Sequence, residues 1–389
     1  MSVKRKNIKA LKPKLTVASL FAGGGGFDLG FKGGFEHLGV AYEKLPYKLV
    51  WANDNDIDAQ IVYEANQKKY FDKHKFSLGD IRDIKPKEVP DFDILLAGFP
   101  CQPFSNAGDR NGINDHRGTL FEEVERFIKW KKPIAFVIEN VKGILSSKMS
   151  DGTPIPLEIR RRLSKVVCHD KKTIWYNVAQ AKVLNSKNFG VPQQRERVII
   201  IGVRSDIAGN SEFQFDDLYA NVKKESLHKI KLKNVLKKIS PKVPHANEIW
   251  EFSPQAANLL PYIHRSWKDI PYDVLPPRFK RIRDNMKHYK SPNFYRRFSL
   301  EEVNGTITAS AQPENCGIIH PIENRRFSVR EIARIQSFPD DFIFPCKTLV
   351  SKYKVIGNAV PPVLAFVIAK TLYQYLQDII TTSKHNKDA

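Results

Sequence analysis

Residues 15–30 read LTVASLFAGGGGFDLG. A short apolar run ends at Phe21, four glycines follow at Gly23 to Gly26, and a helical start succeeds them. Glycines between a strand and a helix let backbone approach a ligand closely, and they gather N–H groups at the helix start. The spacing is not GxGxxG, which counts against a dinucleotide fold. Taken alone, the run is also compatible with nothing more than a tight turn.

Reading outward, apolar runs alternate with helical patterns. YKLVWAND (47–54) is the next strand, and IDAQIVYEANQKKY (57–70) has helical spacing at Ile57, Ile61 and Ala65. FDILLAGF (92–99), IAFVIEN (134–140) and RVIIIGV (197–203) follow. Near-continuous apolar strands with helices between them mark a buried parallel sheet. The expectation is a doubly wound, mostly parallel α/β sheet with ligands at the carboxyl ends of its strands. From about 206 to 300 prolines, aromatics and bases intermix without period, as a smaller, loop-rich second domain would. Order returns after 325: Ser328 and Glu331 form a capping box, and VLAFVIAKTLYQYL (363–376) reads as an apolar helix suited to packing on the first domain. The expected division is a basic arm at 1–14, a catalytic domain at 15–225, a second domain at 226–325 and a return segment at 326–389.

Composition narrows the class. The chain has 389 residues, 42% hydrophobic and 27% charged, which excludes wholesale disorder and allows two domains. No apolar run reaches the roughly 18–20 residues of a membrane span, and MSVKRKNIKALKPK does not read as a secretory leader. Four scattered cysteines (Cys101, Cys168, Cys316, Cys346) form no CxxC, so neither a disulfide framework nor a zinc ribbon is expected, no metal is assigned, and a reducing cytoplasm fits. Lys plus Arg is 63 against 42 Asp plus Glu, a net +21. Residues 221–297 hold 18 bases and 6 acids, and residues 1–14 hold six bases and no acid. Charge so concentrated points to a polyanion, most often nucleic acid, although a Lys-rich solubility charge is the plain alternative.

Four constellations carry chemistry. Asp54 ends the second strand, where a carboxylate can take both hydroxyls of an unphosphorylated ribose; Asp80, in LGDIRDI, could reach an adenine amino group. Either acid could instead be a helix cap or turn residue. In GFPCQPFS (98–105), Cys101 sits between prolines just past a buried strand, and NAGDRNGINDHRG (106–118) reads as a loop able to close over a site. Glu139, in ENV after the strand IAFVI, is placed for proton work or for capping. In PQQRERV (192–198), Arg195 and Arg197 alternate along an extended segment and should share a face, to clamp a phosphate, orient a carbonyl or pair with Glu139 or Glu196.

With GTITAS (305–310) and IGNAVPP (356–362) added in order, these motifs resemble the DNA cytosine-C5 methyltransferases of bacterial restriction–modification systems. The match runs nearly end to end through the catalytic domain and the return segment, while 215–295 resembles nothing legible, as a variable target-recognition region would. The resemblance implies an S-adenosylmethionine-dependent, Rossmann-like fold with S-adenosyl-L-methionine as cofactor. It implies that the Cys101 thiolate adds to cytosine C6, that Glu139 hydrogen-bonds N3 and the exocyclic amine, that Arg195 contacts O2 and that Arg197 holds backbone and Glu139. It places Phe21, Ala22, Gly23, Gly25, Asp54, Asn55, Asp80, Ile81, Pro100, Asn358 and Ala359 at the cofactor. Asn55 departs from the family, which often carries an aromatic there to stack on adenine. The implied partner is double-stranded DNA with its cytosine flipped out. A cognate endonuclease without stable complex, a monomer, a cytoplasmic location and no membrane complete the expectation. A tRNA substrate is disfavoured by the lack of Cys-Phe-Thr in the second domain, a nicotinamide oxidoreductase by the glycine spacing and the Pro-Cys-Gln site, and an inactive DNA-binding module by the intact Cys101, Glu139 and Arg195.

Overall fold

The structure, a computed structural model, describes residues 12–99, 120–149, 151–237, 239–285 and 292–385, with side chains through 382. Pro100, Cys101, the 106–118 loop and most of the basic arm lie outside the described residues.

Eleven strands are present among the described residues: β1 Leu15–Leu20, β2 Phe35–His37, β3 Val40–Tyr42, β4 Tyr47–Asp54, β5 Lys75–Leu78, β6 Ile94–Ala97, β7 Ala135–Val141, β8 Lys165–Val167, β9 Thr173–Val178, β10 Lys182–Asn185 and β11 Glu196–Arg204. β2 and β3 make a separate hairpin; the rest form one sheet in the order β5-β4-β1-β6-β7-β11-β9-β8, with β10 beside the start of β11. The pairs from β5 through β7 are all parallel. The chain leaves β1 toward β4 and β5, then crosses back to place β6 and β7 on the other side. That reversal between β1 and β6 is a topological switch point, where doubly wound sheets bind ligands at their carboxyl edge.

Side-chain alternation explains the unbroken apolar runs. Val17, Leu49, Leu96, Val137 and Ile201 face one apolar layer, and Ala18, Trp51, Leu95, Phe136 and Ile200 face the other. The first layer is covered by the helices Gly26–Lys32, Ile57–Tyr70 and Pro362–His385, the second by Leu120–Lys131 and Ile155–Ser164. Both faces are buried, so each strand must be apolar throughout.

RVIIIGV departs from its expected direction: β11 runs antiparallel to β7. A strand apolar on both faces reads alike in either direction. The consequence is functional, because the antiparallel course brings the start of β11 to the carboxyl end of β7.

Ser328 and Glu331 form the capping box of Val329–Ile335, and the apolar helix is longer than expected, Pro362–His385. It lies close to Gly26–Lys32: a Cβ on Gly30 would stand 2.3 Å from that of Ala365. The stretch Leu349–Thr382 is apolar and long enough to cross a bilayer, but 89% of its most apolar window is buried inside the protein. Among the described residues of 236–300 only short helices occur, and the apolar cluster there, with Trp267, Phe279, Phe294 and Phe298, is continuous with that of the main sheet.

Below the glycine turn, Asp28 is buried and accepts hydrogen bonds from Ser19 Oγ and, at 2.6 Å, from Tyr63 OH. Burial pushes its pKa up to about 6 against the lowering effect of those bonds. A carboxyl raised on folding favours the native state below its unfolded pKa, and that contribution is lost as pH rises through the folded pKa. Asp28→Asn keeps the shape without the charge. Its stability relative to the native chain should therefore improve by up to about 3 kcal/mol between pH 4 and pH 7. Urea midpoints at the two pH values check this; parallel pH dependences for the two proteins would refute it.

Candidate active site

The carboxyl edge of the sheet gathers the motifs. After β1, Phe21 and Gly23 adopt positive φ (57° and 55°), and Gly25, also left-handed at 88°, caps the helix Gly26–Lys32. A Cβ on Gly23 would meet nothing within 4 Å, so this turn borders open space, whereas one on Gly26 would lie 2.4 Å from the Val360 carbonyl. The glycine run thus opens on one side and seats the return segment on the other. Ala22 is buried, its N–H donating to the Asn53 carbonyl at 2.8 Å.

At the end of β4, Asp54 accepts the Gly23 N–H on Oδ2 (2.8 Å) and the Asp56 N–H on Oδ1 (3.0 Å). Burial raises its pKa, opposed by these backbone bonds. The Asn55 N–H acts on the same carboxylate. Asn55 is exposed beside it. Beyond β5, Gly79 also borders open space, and Asp80 caps the turn Ile81–Asp83. Asp80 is forked by Arg82, whose hydrogen bonds lower its pKa. Ile81 is buried under the turn.

At β7, Glu139 is 7% exposed. Its Oε1 accepts from Arg197 Nε at 3.0 Å, while Oε2 lies 3.7 Å from where a Cβ on Gly98 would stand. The next residue, Asn140, donates from its side chain to the Phe99 carbonyl at 3.0 Å. The chain entering Pro100 and Cys101 is therefore tied down beside Glu139. Arg197 Nη1 donates to the Glu196 carbonyl at 2.7 Å, and its Nη2 has no partner among the described residues.

The two arginines are held differently. β11 begins at Glu196, so Arg195 lies in the connection before it, where strand alternation does not apply. Arg195 is 1% exposed. Its Nη1 donates to the Ile307 carbonyl (2.9 Å) and its Nη2 to the Ala359 carbonyl (3.1 Å). Burial, with Arg197 nearby, pushes its pKa down, and burial lowers that of Arg197 as well. The guanidinium beside Glu139 belongs to Arg197, and Arg195 ties PQQRERV to GTITAS and IGNAVPP.

Residues not singled out in the sequence reinforce that junction. Gln193 donates to the Ile335 carbonyl (3.2 Å) and to Gln336, and accepts the Ile307 N–H (3.1 Å). A Cβ on Gly357 would lie 2.5 Å from the Thr308 carbonyl. Asn358, exposed at the end of Leu349–Asn358, and the buried Ala359 therefore sit next to both the glycine turn and Arg195. Gln193 and Asn140 stand inside the motifs PQQRERV and ENV, without a sign of their partners; Gln336 carries no signal in a single sequence.

The family model for C-5 cytosine-specific DNA methylases matches residues 15–374. The chain belongs to that family. This methylase is 34% identical to the type II methyltransferase M.NgoFVII of Neisseria gonorrhoeae, over 97% of this chain and 91% of that one. It is 33% identical to M.MthTI of Methanothermobacter thermautotrophicus, over 94% and 99%, and 32% identical to M.Eco47II of Escherichia coli, over 94% and 80%. Among solved structures, the S. pombe Dnmt2 methyltransferase superposes with a TM-score of 0.58 at 17% identity, over 93% of this chain and 99% of that one, a likeness of fold. The methylase is thus an enzyme that methylates cytosine at C5 in DNA.

The basic stretch of this methylase is not uniformly available to DNA. Arg297 is buried, with all its nitrogens bonded to Ile263, His320, Glu323, Leu260 and Asn324. It clamps loops together. Lys233, Lys242, Arg265, Lys268, Arg278 and Arg281 are exposed.

Proposed function

We propose that this methylase modifies one short sequence in double-stranded DNA, using S-adenosyl-L-methionine, and that it protects cytoplasmic host DNA from a cognate endonuclease without forming a stable complex with it. It acts as a monomer, with 15–225 and 326–389 as the catalytic domain and 226–325 as the target-recognition region. The observation that carries the reading is the Glu139–Arg197 pair beside the tethered Phe99, two residues from Cys101.

The cradle suits the cofactor. The open turn at Gly23, with Phe21, Ala22 and Gly25, borders the space; the Asp54 carboxylate faces two ribose hydroxyls; Asp80 and Ile81 take the adenine; Asn358 and Ala359 complete the pocket, and Pro100, outside the described residues, is assigned to it by the family resemblance alone. When bound, the sulfonium supplies an electrophilic methyl group. Cytosine C5 is a poor nucleophile until the Cys101 thiolate adds to C6, forming an S–C6 bond and pushing electrons onto C5 and toward N3 and O2. Glu139, with Oε1 held by Arg197, keeps Oε2 for N3 and the exocyclic amine. Arg197 Nη2 is the donor left over for O2, the role first given to Arg195. After methylation water takes the C5 proton, the C–H electron pair re-forms the C5–C6 double bond, and the S–C6 bond breaks with its pair returning to Cys101 as thiolate, so that the ring regains aromaticity. The other cysteines support the choice of Cys101: Cys168, Cys316 and Cys346 are buried, and burial pushes the latter two thiols up to about 11.

Bisulfite sequencing of DNA from cells expressing the protein should show cytosines protected in one short context. Protection scattered without context, or none with active enzyme, would overturn the reading.

A further inference from the structure

Around Asp80 the hydrogen-bond count is unusually complete for an exposed turn. Oδ1 accepts from Arg82 N and Arg82 Nε, both at 2.9 Å, and Oδ2 accepts from Arg82 Nη2. A carboxylate has about four acceptor positions. Three are taken by one residue, and a single position on Oδ2 remains. The turn itself is braced from the opposite side: Arg126, on the helix Leu120–Lys131, donates to the Ile81 carbonyl (2.8 Å) and the Ile84 carbonyl (2.9 Å). The carboxylate is thus fixed in orientation as well as in charge, and the Arg82 bonds lower its pKa. Asp54, one strand over, differs: its carboxylate is held by backbone N–H groups, with no arginine on it.

We propose that Arg82 is a positioning residue for base selectivity in the cofactor pocket, holding Asp80 so that its one open acceptor meets a single N–H donor, the exocyclic amine of adenine. This rests on the cofactor reading given above. A purine bearing a carbonyl at that position would set oxygen against oxygen and be rejected. The need for such a device is set by Asn55, which stands where an aromatic could otherwise have gripped either purine by stacking. Lysine could not replace Arg82, because the planar fork that supplies two side-chain bonds is specific to arginine.

Isothermal titration with S-adenosylhomocysteine and S-inosylhomocysteine tests this by binding alone. The native protein should prefer the adenine form by about tenfold or more, the worth of one hydrogen bond to a charged group. Arg82→Gln should cut that preference about 3–10-fold by weakening the adenine form while leaving the inosine form unchanged, with Arg82→Lys between the two. Asp80→Asn, able to donate to a carbonyl, should bring the two ligands close to parity. A preference unchanged in Arg82→Gln would overturn the role of Arg82 while leaving the cofactor reading intact. Failure of the native protein to bind S-adenosylhomocysteine would instead defeat the cofactor reading, and this proposal with it.

Discussion

Cys101→Ala should abolish methyl transfer, by about 10⁴-fold or more, while DNA binding is largely retained. The size follows from the chemistry. Without a thiolate at C6 there is no enamine, and C5 of an intact cytosine does not attack a sulfonium at a useful rate. Nothing else described in the protein can substitute, since Cys168, Cys316 and Cys346 are buried within its apolar layers. The companion measurement uses DNA with 5-fluorocytosine at the target. Fluorine at C5 cannot leave as a cation, so elimination stops and the S–C6 bond persists. Native enzyme with cofactor should yield a covalent complex by denaturing gel and mass, mapped to the peptide containing Cys101, and Cys101→Ala should yield none. Full activity in Cys101→Ala would remove the residue from the mechanism. Absence of the adduct with active native enzyme would remove the addition–elimination route.

The fold was legible because burial on both faces forces unbroken apolar strands: β1, β4 and β6 lie within the runs read from the sequence, and β7 passes its run by one residue, Val141. Their ends were legible as well: Asp54, Glu139 and the glycine turn stand at the carboxyl edge because parallel strands share a direction. Direction is what an apolar run does not encode, so the sequence of β11 fits a parallel strand as well as the antiparallel one it forms. The fates of Arg195 and Arg197 were hidden for a related reason. An alternation of two assigns side chains to faces only inside a strand, and the strand begins between them. The capping box at Ser328 was legible because its partners are three residues apart. The Asn140–Phe99 bond, 41 residues apart, was not. Arg297 shows the limit of charge counting: it adds to the basic excess yet is spent wholly on loop carbonyls and one side-chain amide.

The same conservative change at the two arginines should give opposite readouts. Arg195→Lys keeps a cation but loses the fork that reaches both the Ile307 and the Ala359 carbonyls. The Ala359 carbonyl also accepts from the Gln336 side chain, so the lost arm leaves either the Ile307 carbonyl without a donor or Ala359 with one donor in place of two, at a cost of about 1–3 kcal/mol. Thermal or urea unfolding should register that loss, and the affinity for S-adenosylhomocysteine should fall with it, because Ala359 adjoins the glycine turn. Once corrected for folded, cofactor-saturated enzyme, kcat should stay near the native value. Arg197→Lys keeps the charge beside Glu139, so stability should change little. It lacks the second arm that the structure leaves free, and a lost donor to developing charge costs about 10²–10³ in rate. Its kcat should therefore collapse while DNA and cofactor affinities hold. The reverse pattern, with position 195 setting kcat and position 197 setting stability, would return the base-facing role to Arg195. It would also mean that Arg195 leaves its two carbonyls when the cytosine enters.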